Sequence, residues 1–405
     1  SVGAAITMYG ATGIVSATSF FGDGAGITGI TTAYYLARAG HEVVIYDKRK
    51  HPAMATSYGN GGQLSASNAE TWNSWRSVKK GVKWLFKADA PLKINPSISI
   101  EKYTWIYRFI RAIPNAEKNT YDTCMWALAA HKLYKEIAAR ENLSFDMVEK
   151  GILHIYTDKS ELENARKINK IYKKAGLARW EVSPKECLEI EPALVPPPKL
   201  LGGFFNETDF TGDIHKFCTN LLFILETKYK VKHVNKEIKN INLGIPVIIC
   251  AGVDSKALAK TIGDDLPIYP VKGYSITIRN PEVAPWTSML DDEAKIVTAR
   301  LGSDRLRVAG TAELNGYNTD IIQSRIKPLI AWIEKMFPGI NTEYVTPWAG
   351  LRPMTPNMMP IVKRSKRNKN IFYNTGHGHL GWTLSAYTAL PVSYTHLTLP
   401  TSDLV

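Results

Sequence analysis

Three glycines, Gly24, Gly26 and Gly29, stand at GxGxxG spacing around Ala25, Ile27 and Thr28, and Asp47 follows about 20 residues later. This spacing suits a phosphate cradle. The first glycine permits a tight turn, the second lets backbone approach a pyrophosphate, and the third lets a helix pack against a strand. The N–H groups that open the helix turn partial positive charge toward the phosphates. Ile30, Ala33, Leu36 and Ala37 repeat at helical spacing, and Gly40 is a natural stop. His41 to Asp47 is then a short apolar strand ending in an acid, the place where ribose hydroxyls are received. Turn, helix, strand and acid together predict a dinucleotide-binding βαβ unit, which a glycine-rich turn alone would not. The strand that should precede Gly24 is poor: Ala17 to Asp23 lacks the apolar run of a buried parallel strand, and residues 1–20 read as a foreign lead-in.

Further along, Thr56, Ser57, Asn60, Gly62 and Gln63 belong to a small, amide-rich loop running to Ser65, with no periodicity. Such a loop can surround a cofactor with N–H groups and amides, or lie on the surface. Trp72 to Phe86 reads as an amphipathic helix with Trp75, Val78, Val82, Leu85 and Phe86 on one face and Arg76, Lys79, Lys80, Lys83 and Lys87 nearby. That pattern suits an anionic membrane surface and equally a helix packed on its own protein with lysines directed outward. A second aromatic helix, Ile100 to Ile113, turns Ile106, Phe109, Ile110 and Ile113 inward as core. Lys159–Ala175 and Ile321–Phe337 read as helices, and Gly151–Tyr156 and Ile245–Gly252 as strands. Pro196 to Pro198 is a rigid connector.

With 405 residues, two domains are expected. Apolar residues at 45% and charged residues at 21% exclude global disorder and coiled coil. No apolar run reaches the roughly 20 residues of a membrane span. The net charge of +13 suits an anionic partner or simply a basic surface. The basic residues are dispersed without a recognised motif, so no nucleic-acid partner is expected. Cys124, Cys187, Cys218 and Cys250 stand apart, which suggests neither a disulfide framework nor a zinc site and favours a reducing, cytoplasmic setting. The N-terminus lacks the basic start of a signal peptide. His131, His154, His377 and His379 form no metal-ligand spacing, so no metal is expected.

The chain resembles the flavin-dependent D-amino-acid oxidase superfamily, in particular its bacterial D-amino-acid dehydrogenase (small-subunit) branch. The matching segments are Gly24–Asp47, Thr56–Ser65, Trp84–Leu92, Gly202–Asp213, YPVKGYSITI at Tyr269–Ile278, Arg305–Asp320, WAGLRPMTP at Trp348–Pro356 and NTGHGHLGWT at Asn374–Thr383. The resemblance implies FAD and an α/β plus α+β fold: a Rossmann-like FAD-binding domain interleaved with an antiparallel-sheet substrate domain. The expected boundaries are 15–90, 185–262 and 350–390 for the FAD domain and 91–184 and 263–349 for the substrate domain. It implies that Gly24, Ala25, Gly26, Ile27, Thr28, Gly29, Asp47 and Lys48 hold the adenine half of FAD. Thr56, Ser57, Asn60, Gly62 and Gln63 then lie near the pyrophosphate and flavin, and Gly376, His377, Gly378, Leu380 and Gly381 form a second flavin loop. Arg352 falls where relatives pair with the substrate carboxylate, and Tyr274 is a second contact at the pocket.

The implied reaction is oxidative deamination of D-alanine-like D-amino acids to 2-oxo acids and ammonia, with electrons passing to a quinone or another respiratory-chain acceptor. That gives the Trp/Lys-rich helix a purpose on the cytoplasmic face of the inner membrane. Two departures accompany the weak first strand. The segment from Lys230 to Ile249 lacks the family's hairpin, leaving Asn235–Gly244 as a link, and residues 391–405 read as a foreign, adapter-derived tail. Two alternatives stay open: a glycine, sarcosine or proline oxidase-type flavoenzyme using oxygen, and a degenerate, non-catalytic FAD-binding protein.

Overall fold

The computed structural model describes residues 16–20, 24–84, 90–241 and 245–393, the first of these as backbone. The lead-in before Ser16, the side chains of Leu85, Phe86 and Lys87, and the tail from residue 394 lie outside the described residues. Within them the chain forms a six-stranded sheet, a nine-stranded sheet and a two-stranded ribbon, the mixed architecture predicted above.

In the smaller sheet the order is Ile361–Arg364, Ile371–Thr375, Val247–Ile249, Ser16–Phe20, Glu42–Asp47 and Lys232–Asn235, parallel apart from the first pair. Ser16–Phe20 is therefore a central strand, contrary to its poor composition. Its backbone pairs on both sides, with Val247–Ile249 and with Glu42–Asp47. Ladder hydrogen bonds come from the main chain, so a slot between two strands overrides weak side-chain preference. The shortened link does not prevent Lys232–Asn235 and Val247–Ile249 from joining the same sheet.

The helix Ile27–Arg38 follows the glycine turn and buries Ile30, Ala33, Tyr34 and Leu36 in a core shared with the helices Ile214–Thr227 and Gly381–Ser393. It stops where Gly40, at φ +87°, supplies the left-handed turn and His41 N–H donates back to Leu36 O at 3.1 Å. The last helix runs through Pro391 to Ser393, past the start of the stretch read as foreign, and Val392 is buried in this core. Trp382, Ala386 and Ala389 already fix its direction, so a proline in the last turn does not break it.

The larger sheet runs Val345–Met354, Tyr269–Arg279, Arg305–Leu314, Ile296–Leu301, Ser288–Asp291, Ile152–Tyr156, Gly202–Asn206, Trp180–Val182, with Leu92–Ile94 beside the end of Arg305–Leu314. The helix Gln323–Met336 covers one face through Leu329, Trp332, Ile333 and Met336. The opposite face looks into a cavity. Segment 185–262 contributes to both sheets, through Gly202–Asn206 in the larger one and Lys232–Asn235 and Val247–Ile249 in the smaller. Ile106 and Phe109 are half-buried rather than core, because their helix, Ile100–Arg111, flanks the mouth of the cavity.

Candidate active site

The glycine turn is built as a cradle. A Cβ on Gly29 would lie 1.4 Å from the carbonyl oxygen of Gly24, so only glycine lets the helix close on the strand. Asp47 is buried, and its two carboxylate oxygens accept the N–H groups of Ala25 at 2.8 Å and Arg49 at 2.7 Å. It braces the turn as well as ending the strand. Ser57 Oγ accepts the N–H of Ile27 at 3.2 Å, which ties the amide-rich loop to the start of the helix. In that loop Asn60 Oδ1 accepts from Gly62 N–H, Thr56 donates to Leu351 O, and Gln63 donates to Ser288 and Met289. Lys48 pairs with Asp254 at 2.6 Å.

Gly376 to Gly381 meets the same helix from the other end of the chain. Gly376 and Gly378 hold φ values of +75° and +58°, and a Cβ on Gly378 would strike the Met354 sulfur at 2.6 Å. His377 is buried with Nε2 2.8 Å from Thr388 Oγ1, a structural tie between the loop and the last helix. Leu380 is buried beneath it. Among the described residues no group of His, Cys, Asp and Glu is arranged to hold a metal.

Between these loops and the larger sheet lies a cavity of about 450 Å³. Arg352 projects into it from Val345–Met354. Its Nη1 donates to Thr311 O at 3.0 Å, and no carboxylate among the described residues lies within ion-pair distance of it. Burial pulls its pKa down to about 10, which leaves it cationic at neutral pH. The guanidinium lies over Gly273, where a Cβ would come within 2.4 Å of Cζ. Trp348, four residues before Arg352 in the same strand, fills the space that side chains at Gly59 and Gly350 would take.

Tyr274 is not brought to Arg352. Alternation along Tyr269–Arg279 puts Val271 and Gly273 on the side of Arg352 and turns Lys272 and Tyr274 to the other. The Tyr274 hydroxyl donates to Glu313 Oε2 at 2.7 Å, and Lys272 Nζ lies 3.2 Å from the same oxygen. The ring packs with the cluster under Gln323–Met336. Tyr274 thus borders the cavity, but its hydroxyl is committed to a buried Lys–Glu–Tyr group rather than turned toward Arg352.

A β-bulge sets this division. Lys272 pairs with Glu313 but Tyr274 with Gly310, so three steps of one strand oppose two of the other. The extra residue is Thr311, at φ +57°, and its carbonyl is the one that Arg352 engages. Before the bulge, Leu306 and Val308 face the helix. After it, Ala312 and Leu314 face the cavity, with Val271, Met354 and Trp105. Glu313 is thereby turned away from Arg352. The motif containing Thr311 is legible in the sequence, but the bulge is not.

The far wall is polar and was missed. Glu70, Asp292, Lys295, His154 and Arg179 line it. Lys295 donates to Asp292 at 2.8 Å, and His154 Nε2 lies 2.8 Å from Ser67 Oγ. Burial raises the Glu70 pKa against the pull of Lys295. These residues come from four separate segments with no local motif. Only the polar stretch after Gln63 carries a hint in sequence.

The cradle, and beside it a second glycine loop that shares a cavity with Arg352, have counterparts in known proteins. The family profile for FAD dependent oxidoreductases (DAO) matches residues 24–394. The chain belongs to that family. It is 48% identical over 389 residues to D-amino acid dehydrogenase 3 of Mesorhizobium japonicum, covering 90% of this chain and 94% of that protein. It is 37% identical to the D-amino acid dehydrogenase of Paramagnetospirillum magneticum, covering 89% and 91%. The glycine oxidase structure from Geobacillus kaustophilus superposes with a TM-score of 0.73 at 19% identity, covering 96% and 98%. The L-proline dehydrogenase from P. horikoshii gives 0.70 at 17%, covering 95% of each chain. At such identities the two structures share the fold, and FAD is the cofactor of the family.

Proposed function

We propose that the chain oxidises D-amino acids to imino acids, which water converts to 2-oxo acids and ammonia. Arg352 carries this reading. A half-buried guanidinium without a carboxylate partner, facing the cavity, is a ready counterion for a substrate carboxylate. The D-amino acid dehydrogenases named above support the choice of substrate. FAD, when bound, supplies the two-electron oxidation by accepting a hydride from the substrate α-carbon. The chain would hold it at the Gly24–Gly29 turn, the Thr56–Gln63 loop and the Gly376–Gly381 loop. Asp47 keeps acceptor positions for ribose hydroxyls beyond the two taken by backbone N–H groups. Arg352 fixes the carboxylate and so selects which face of the α-carbon is presented. The wall of Val271, Leu314, Met354, Trp105 and Phe109 receives the side chain, with room for more than a methyl group.

The test is the visible spectrum of the purified, anaerobic holoenzyme with D-alanine and L-alanine. Flavin absorbance should bleach with the D-isomer alone. Bound flavin that neither isomer bleaches overturns the reading in favour of a glycine or proline oxidase-type substrate.

Electrons are assigned to a quinone, delivered at a bilayer surface. Among the described residues no helix is long and apolar enough to cross a membrane. Instead, Trp75–Trp84 buries none of its residues, with Trp75 60% and Val82 55% exposed. Next to it Ile98 is 92% and Ile100 85% exposed, with Tyr103 and Tyr107 on the same stripe. Lys79, Lys83, Arg108 and Arg111 accompany these apolar groups, and both helices flank the cavity. This combination suits an anionic membrane. The protein should float with vesicles containing anionic lipid, and Trp75→Asp with Val82→Asp should abolish flotation without loss of flavin. Equal flotation of the variant overturns this face.

A further inference from the structure

His379 is the one histidine of the second glycine loop that the loop itself does not use. Its ring stacks on Trp72, with centroids 4.6 Å apart and planes 24° from parallel. It lines the same cavity as Arg352. Neither ring nitrogen has a hydrogen-bond partner of good geometry, whereas the neighbouring His377 is tied to Thr388. A polar group buried without a partner costs stability unless something else completes it. The Asn68 backbone interacts with the ring, and in a neutral imidazole so engaged the remaining nitrogen is an acceptor without a partner.

Building on the D-amino-acid reading above, we infer that His379 accepts a hydrogen bond from the substrate α-amino group, so that two side chains of one cavity hold amine and carboxylate separately. Charge supports the division of labour. Burial and the nearby Arg352 hold the His379 pKa down at about 3, so the ring stays neutral. A neutral imidazole does not compete with Arg352 for the carboxylate, and it does not repel the amine. Clamped by Trp72, it also fixes rotation about the bond between the α-carbon and the carboxylate, which Arg352 alone leaves free. His379 is then a binding and orienting residue, and no proton transfer is assigned to it.

Two ligands isolate the contact. D-Alanine carries the amine, and propionate is the same molecule without it. Binding of both is followed on the flavin of the anaerobic holoenzyme, D-alanine by the saturation of flavin reduction and propionate by its spectral perturbation. His379→Phe keeps the stack on Trp72 and removes the acceptor. It should weaken D-alanine about tenfold and propionate less than about twofold. His379→Gln, whose carbonyl restores an acceptor, should recover most of the loss. Equal weakening of both ligands makes the ring a packing element and overturns the inference, as does an unchanged affinity for D-alanine. If His379→Phe does not retain flavin, His379→Leu is read by the same criteria. Failure of D-alanine to reduce the parent enzyme overturns the deaminase reading and this inference together. Reduction of the parent without an amine-specific loss in the variant overturns this inference alone.

Discussion

Arg352→Ala is expected to retain FAD and to lose D-amino-acid turnover by roughly two to three and a half orders of magnitude in kcat/KM. Removing one partner of a buried, hydrogen-bonded charge pair costs about 3–5 kcal/mol, and each 1.4 kcal/mol is about tenfold. The other cations at the cavity are engaged: Lys295 by Asp292, Arg76 and Lys80 by Glu161, and Arg179 by Ser67 O and the Tyr156 hydroxyl, while Lys272 lies behind the sheet with Glu313. Arg352→Lys should recover little, because an ammonium cannot reproduce the bidentate grip. Gly273→Ala tests the same point without touching the charge. Its methyl group would occupy the position of the guanidinium, which must swing out of place while the backbone stays. A similar loss with unaltered flavin content is expected. Steady-state kinetics with an artificial acceptor decide both, and near-parental kcat/KM in either variant would remove Arg352 from substrate binding.

Gly29→Ala is expected to yield protein without flavin. The methyl group meets the main chain of Gly24, not a flexible side chain, so the helix must back away from the turn. The movement also withdraws the helix N-terminus and strains the bond from Ala25 N–H to Asp47. The remaining core around Ile30, Tyr34 and Phe217 is large enough to keep the fold. The flavin-to-protein absorbance ratio of the purified variant should fall to trace values while its circular dichroism stays near that of the parent. Full flavin content would show that the phosphates do not depend on this close approach.

The glycine turn, its helix and Asp47 were legible because their signals are local: fixed spacing, a 3.6-residue period and a stop at Gly40. Arg352 was legible through its motif. The direction of the Tyr274 hydroxyl is not legible in the sequence, for a physical reason. Its strand is buried along almost its whole length, so no alternation of apolar and polar residues tells which side chains face which way. Ser16–Phe20 was undervalued because its pairing depends on two strands distant in sequence. His379 and Glu70 carry no signal as single residues. Their meaning comes from a cavity that only the folded chain encloses.

The bulge at Thr311 makes the anion site sensitive to counting as well as to chemistry. A regular ladder through this point, with every residue kept and no bulge, would exchange the faces of all that follows. Ala312 and Leu314 would turn under the helix, and Glu313 would enter the cavity opposite Arg352. The unbulged strand would then carry its own competitive inhibitor, a tethered carboxylate at an effective concentration no free amino acid matches. A one-residue slip of register would thus silence the enzyme while leaving every residue of its binding site in the sequence.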